Sequence, residues 1–228
     1  MCTNTIIMVI QLAFGKYSHT MPPKNSSLSP RKKPVQDRSA QTVTIIFEAT
    51  VQVLLALGPE KLTTTKVADR AGVSVGTLYQ YFSDKQSLLA AVLKKHLEDV
   101  ADAVALACKE NQGKALEPMV NALVKAFFDA KFAHPEMSKA LYSIAADIEG
   151  NEIVAALMAR SQASICELLS SAQDARFTDP ITTTFVISTI MVGPVQALLT
   201  MDAPKVYQEK VCEQLVKLSY SYLREIAV

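Results

Sequence analysis

Between Leu62 and Leu89 the chain reads LTTTKVADRAGVSVGTLYQYFSDKQSLL, and this block concentrates its hydroxyl, amide and phenol side chains at helical spacing. If Leu78 and Phe82, four apart, face inward, then Val75, Gly76, Thr77, Tyr79, Gln80 and Tyr81 face outward. That outward side carries no charge and several donors and acceptors. Such a surface can enter a major groove and touch phosphates and base edges without repulsion. For Tyr79 and Tyr81 a plainer reading stands beside this one, as aromatics packed on the surface.

The elements that hold these residues follow from local signals. Thr63 is placed to cap a short helix over 64–71, with Val67, Ala68 and Ala71 inward. Gly72 supplies the tight turn, and Ser74 caps a second short helix over 75–82. Ser83-Asp84-Lys85-Gln86 fits a capping box that opens a longer helix, with Leu89, Leu93, Leu97, Val100, Val104 and Ala107 as its stripe. Upstream, Ile46, Ala49, Thr50, Val53, Leu54 and Leu57 recur at three and four until Gly58-Pro59. Downstream, helices are expected at 117–133, 136–148, 151–173, 180–201 and 205–226. Two short helices joined by a glycine turn form a helix-turn-helix, inside an all-α chain of about nine helices.

The block resembles the TetR family of transcriptional regulators. Thr63-Thr64, Val67-Ala68, Ala71-Gly72-Val73-Ser74, Gly76-Thr77-Leu78-Tyr79, Tyr81-Phe82, Lys85 and Leu88-Leu89 carry the likeness over about fifty residues. The resemblance implies an N-terminal three-helix DNA-binding domain (38–84) after an extension (1–37), then a helical effector-binding and dimerising domain (85–228). It implies DNA-binding roles for Thr64, Thr65, Ser74, Val75, Gly76, Thr77, Tyr79, Gln80, Tyr81 and Lys85. Thr64 and Thr65 would meet phosphate at a helix start. Gly76 would allow close approach, Val75 and Gln80 would tune sequence choice, and Lys85 would hold a phosphate. Gln80 can read adenine through N6 and N7.

Composition sets the remaining bounds. The 228 residues carry a net charge of +1, so the whole chain gives no argument for a polyanionic partner. Residues 1–90 alone hold 10 Lys and Arg against 5 Asp and Glu, and the remainder 13 against 17, so the front is basic and the back acidic. The four cysteines (Cys2, Cys108, Cys166, Cys212) show no CxxC spacing, and the last three fall in apolar helical patterns, as reduced buried thiols do. His19, His96 and His134 are scattered. No catalytic or metal-binding arrangement is found, and neither an enzyme nor a cofactor is expected. His96 reads as a structural histidine, and His134-Pro135 as the junction of two helices. Residues 15–37, rich in Pro, Ser and basic side chains, read as a flexible linker. Its run Ser29–Pro34 is either a minor-groove arm or a solvated tail, with Arg38 a better phosphate candidate. Thr5–Phe14 is apolar but too short to span a bilayer, and Met21 offers a second start. Pro180–Met201 has spanning length without a charge, yet its hydroxyls and the Gly193-Pro194 pair favour a helix buried in protein, against a copy of itself.

These features point to a cytoplasmic, homodimeric repressor, off the membrane, released from a palindromic double-stranded operator by a small and largely apolar effector. Leu123, Phe127, Tyr142 and Met158 are the candidate effector contacts. The competing reading is a helix-turn-helix protein controlled by a protein partner without a small ligand.

Overall fold

The computed structural model of the chain describes residues 37–145 and 151–228. Nine α-helices and no strand are found among the described residues. They are α1 (Asp37–Lys61), α2 (Thr64–Ala71), α3 (Val75–Tyr81), α4 (Lys85–Asn111), α5 (Leu116–Phe132), α6 (Pro135–Ile144), α7 (Asn151–Ser170), α8 (Pro180–Thr200) and α9 (Lys205–Ile226). The all-α class and the helix order agree with the sequence reading. The described residues form two compact units. One holds those up to His96 together with the described part of 140–154, and the other holds Leu97–Lys139 and Ala155–Val228. The linker, the basic run and the apolar segment near the start lie outside the described residues, as does the Arg38 side chain.

In the first unit α1 buries Ile46, Ala49, Thr50, Val53 and Leu54, and the Thr50 hydroxyl donates to the Ile46 carbonyl at 2.6 Å. Leu57, expected in the same stripe, stands in solvent. The helix breaks beside it at Gly58 (φ 77°, ψ 167°), a conformation open essentially to glycine alone, and the core takes Leu62 instead. Gly72 ends α2 in the left-handed region (φ 67°).

The start of α4 corrects one expectation. The capping box is shifted by one residue, from Ser83 and Gln86 to Asp84 and Ser87. Asp84 Oδ1 accepts from the Ser87 amide at 2.7 Å, and Ser87 Oγ accepts from the Asp84 amide at 3.1 Å. The physical reason is charge. A carboxylate is a stronger acceptor than a hydroxyl and sits at the positive end of the helix. The Ser87 amide in turn holds the Asp84 carboxyl below its usual range. Ser83 Oγ donates to Asp84 Oδ2 at 3.0 Å and so braces the cap.

In the second unit α5 packs on α9 and α8, and α8 packs on α9. The core is Met119, Leu123 and Val124 of α5, Leu168 and Leu169 of α7, Ile187, Met191 and Leu198 of α8, and Leu215 and Leu223 of α9. No neighbouring side chain in sequence caps α5. Its Leu116 amide donates to Asp174 Oδ1 at 2.7 Å, 58 residues away. α7 ends at Ser170 rather than 173, because Ser171 Oγ turns onto the Leu168 carbonyl and the Gln173 amide pairs with the Lys114 carbonyl. α6 is described only to Ile144, so the tail of the expected helix 136–148 falls largely outside the described residues. Cys108 and Cys212 are buried and Cys166 is half-buried; burial pushes the Cys108 thiol up to about 12 and the Cys212 thiol in the same direction.

By length and composition, Ser39–Lys61, Glu152–Ser170 and Pro180–Thr200 could each cross a membrane. Within α8 the hydroxyls of Thr183, Thr189 and Thr200 donate to carbonyls four residues back, each at 2.8 Å. Its inward side buries Thr183, Thr184, Ile187, Ser188, Met191, Val195, Leu198 and Leu199.

Replacing Asp84 with Ala should cost about 1 kcal/mol of stability, whereas Ser83→Ala should cost roughly half of that or less, since the charged cap carries most of the contribution. Urea unfolding of the two variants checks the order; a larger loss for Ser83→Ala would restore the box to its sequence-predicted register.

Candidate nucleic-acid interface

The interface is built on a helix of seven residues. Ser74 caps α3, its hydroxyl oxygen accepting from the Thr77 amide at 2.9 Å and lying 2.8 Å from Thr77 Oγ1. Thr63 caps α2 in the same way through the Lys66 amide at 3.3 Å. Leu78 and Phe82 are fully buried, and the Phe82 ring lies 5.7 Å from that of Phe47 on α1. With those anchors fixed, the face expected to point outward does so. Gly76, Tyr79 and Gln80 are exposed, and Val75, Thr77 and Tyr81 are half-buried.

The structure brings some of the predicted residues together. Tyr79 is 41% exposed, and its phenol oxygen lies 3.1 Å from Thr64 Oγ1. This bond joins the start of α2 to the middle of α3 across the turn. Two polar groups are thereby held side by side on the outer surface. Tyr81 is less free, with its ring 6.5 Å from Phe82. Thr65 is exposed on the first turn of α2.

Lys85 is tied to α1, its Nζ donating at 2.6 Å to the carbonyl of Pro59 in the last turn of that helix. Lys66 Nζ donates to the Lys61 carbonyl at 2.9 Å on the same turn. Two ammonium groups therefore meet the carbonyl end of α1, where positive charge is favoured. Lys61 and Lys66 were missed in reading the sequence, although they flank the Thr63–Thr65 run. Arg70 reaches back to α1, its Nε donating to Gln52 Oε1 at 2.5 Å.

Gly76 is informative by what does not surround it. A Cβ added there would meet only Ser74 Oγ, at 3.7 Å, an ordinary contact. No neighbouring described atom requires glycine at this second position of α3, although glycine loses more conformational freedom on folding than alanine.

The four predicted effector residues are distributed over both units. Leu123 is fully buried and Phe127 half-buried on α5; Met158 is half-buried on α7, also in the second unit. Tyr142 belongs to the first unit, and burial raises its phenol well above the ordinary range. A groove of about 370 Å³ in the second unit is lined by Ala105, Cys108, Lys109, Gln112, Ser164 and Glu167, and by none of those four.

Comparison with known proteins places this geometry. Residues 46–92 match the family model for bacterial regulatory proteins of the tetR family, and residues 115–223 match the tetracyclin repressor-like C-terminal domain. The regulator BetI of Cronobacter sakazakii is 32% identical over 95 residues, which is 42% of this chain and 47% of that protein. The transcriptional activator FasR of Mycolicibacterium smegmatis is 41% identical over 64 residues, 28% of each chain. The chain thus spans about half, or less, of the length of these sequence relatives. A solved TetR-family regulator from Mesorhizobium loti superposes with a TM-score of 0.69 at 15% identity, over 82% of this chain and 98% of that one. The fatty acid degradation regulator FadR of Bacillus halodurans does so at 0.62 and 19%, over 78% and 97%. At these identities the superpositions speak for the fold. A matching helix-turn-helix model over residues 46–92 and a matching C-terminal model over 115–223, with nine helices in this order among the described residues, assign the protein to the TetR family of transcriptional regulators.

Proposed function

We propose that the protein is a homodimeric, cytoplasmic transcriptional repressor that inserts α3 into the major groove of a palindromic operator and leaves it when a small, largely apolar effector binds. The carrying observation is Gly76, an exposed glycine in the first turn of α3 that the protein's own packing does not call for. A closely approaching duplex gives it a reason. Val75, Gln80 and Tyr79 then face base edges, while Ser74, Thr77 and Tyr81 meet the backbone. Thr64, Thr65 and Lys85 take phosphates, with Lys61 and Lys66 adding attraction. Repression is the sign favoured by the tetracyclin repressor-like C-terminal match.

Dimerisation is supported by what α8 and α9 leave uncovered. Ile181 is 79% exposed, Val206 64%, Tyr207 50% and Leu218 55%, and α8 has no charge along its length. Pairing these helices with their copies gives a four-helix interface and sets two α3 helices on half-sites about 34–36 Å apart. α8 is then a helix covered by protein. α4 contributes residues to both units, so an effector that favours one arrangement of the second unit shifts the population competent for DNA.

Operator fragments selected from genomic DNA provide the assay. Gly76→Ala should leave the fold as stable or up to ~1 kcal/mol more stable, while weakening operator binding by about 1–3 kcal/mol. Unchanged affinity would remove α3 from the groove. Leu218→Glu should convert the dimer to monomer in sedimentation equilibrium at micromolar protein, and a wild-type chain that sediments as monomer would refute the dimer.

A further inference from the structure

The contact between Thr64 Oγ1 and the Tyr79 phenol oxygen, 3.1 Å long, has a direction as well as a length. Each hydroxyl carries one proton and can also accept at its oxygen, so the pair by itself has two arrangements. In one the threonine donates and the phenol proton is left over. In the other the phenol donates and the threonine proton is left over. No other hydrogen bond to either hydroxyl is found among the described residues, so the spare proton is open to a partner outside the chain. Thr64 opens α2 and is half-buried, while Tyr79 stands 41% exposed in the middle of α3. A duplex that meets both residues decides between the arrangements. A phosphodiester oxygen has no proton, so it binds a hydroxyl only by accepting. Once Thr64 donates to phosphate, its oxygen is left to accept from Tyr79, and the phenol proton is committed inside the protein. What the Tyr79 oxygen then offers a base is a lone pair.

We infer that Thr64 is a positioning residue that sets the hydrogen-bond polarity of Tyr79, and that Tyr79 therefore selects a base with an amino group in the major groove, adenine or cytosine on the strand it faces. This rests on the proposed docking of α3, with Thr64 on a phosphate and Tyr79 at a base edge, and it adds the rule by which one base is taken over another. Adenine N6 and cytosine N4 are donors in that groove, whereas guanine O6 and thymine O4 only accept and would meet the phenol lone pair unpaired. Tyrosine alone does not carry this rule. A free phenol turns its proton to suit donor or acceptor, so the selectivity comes from the bond to Thr64.

The test selects bound sequences from randomised duplexes with the full-length wild type, Tyr79→Phe, Thr64→Val and Thr64→Ser. Tyr79→Phe marks the position that Tyr79 reads. In the wild type that position should favour A or C over G or T by about threefold to tenfold, the range of one net hydrogen bond. The preference should vanish in Tyr79→Phe. It should fade in Thr64→Val, where the released phenol proton admits G or T, and return in Thr64→Ser, which keeps the accepting oxygen. Where adenine is selected, replacing it with unsubstituted purine removes the amino group alone; this should cost the wild type the same factor and Tyr79→Phe nothing, with no change made at Thr64. A Tyr79-dependent position that favours G or T in the wild type overturns the inference and leaves an operator-binding protein in place. An A or C preference that survives undiminished in folded Thr64→Val, or a Tyr79→Phe protein with unaltered preferences throughout, overturns it in the same way. Wild-type protein that selects no sequence at all refutes the operator reading itself.

Discussion

A helix of seven residues makes too few internal hydrogen bonds to persist by itself, and the first unit is organised around that deficit. α3 exists because Leu78 and Phe82 are fully buried and because Ser74 satisfies an amide of its first turn. Everything else in α3 is consequently free to be something other than core. The exposed glycine, the tyrosine half out in solvent and the uncharged amide are tolerated because two side chains and one cap already hold the helix. The Thr64–Tyr79 bond adds a second brace from outside, across the turn from α2. α2 is in the same position, with Thr63 at one end and Gly72 at the other.

The second unit solves a different problem. Its helices are long, and their order is maintained by bonds between distant residues. Asp174 caps α5 with its side chain and accepts from Arg224 with its carbonyl, and the last amide, of Val228, reaches the Arg176 carbonyl. One loop thus gathers the beginning of α5 and the end of α9. Lys139 and Asp202 pair at 2.6 Å, joining α6 to the turn between α8 and α9. Two hydroxyls, Thr184 Oγ1 and Ser219 Oγ, are buried without a hydrogen-bond partner, unlike the other threonines of α8. They leave two polar positions in an apolar core that packing alone does not account for.

What the sequence made legible was whatever is decided within one or two turns. The caps at Thr63 and Ser74, the glycine turn, the break at Gly58 and the Leu78–Phe82 anchor are local, and all stand where the residue types place them. The misplacements come from competition or from distance. Ser83 and Asp84 are adjacent capping candidates, and spacing alone does not weigh a carboxylate against a hydroxyl. The end of α7 is set by Lys114 and the start of α5 by Asp174, neither of which is near in sequence. Lys131, which is buried, looks like any lysine of an amphipathic helix until the position of α5 is known. Leu57 keeps the period but loses its place, because the chain turns away one residue later.

α8 has a consequence for how the protein is made. Its 21 residues carry no charge, and of the two helices that pack on it in the second unit α5 precedes it in the chain and α9 follows it. At ordinary rates of synthesis the ribosome needs a few seconds to add α9. Until α9 has been added, a segment with the hydropathy of a membrane span has only part of the cover it takes in the second unit. The yield of folded protein therefore depends on α9 docking before α8 meets another apolar surface.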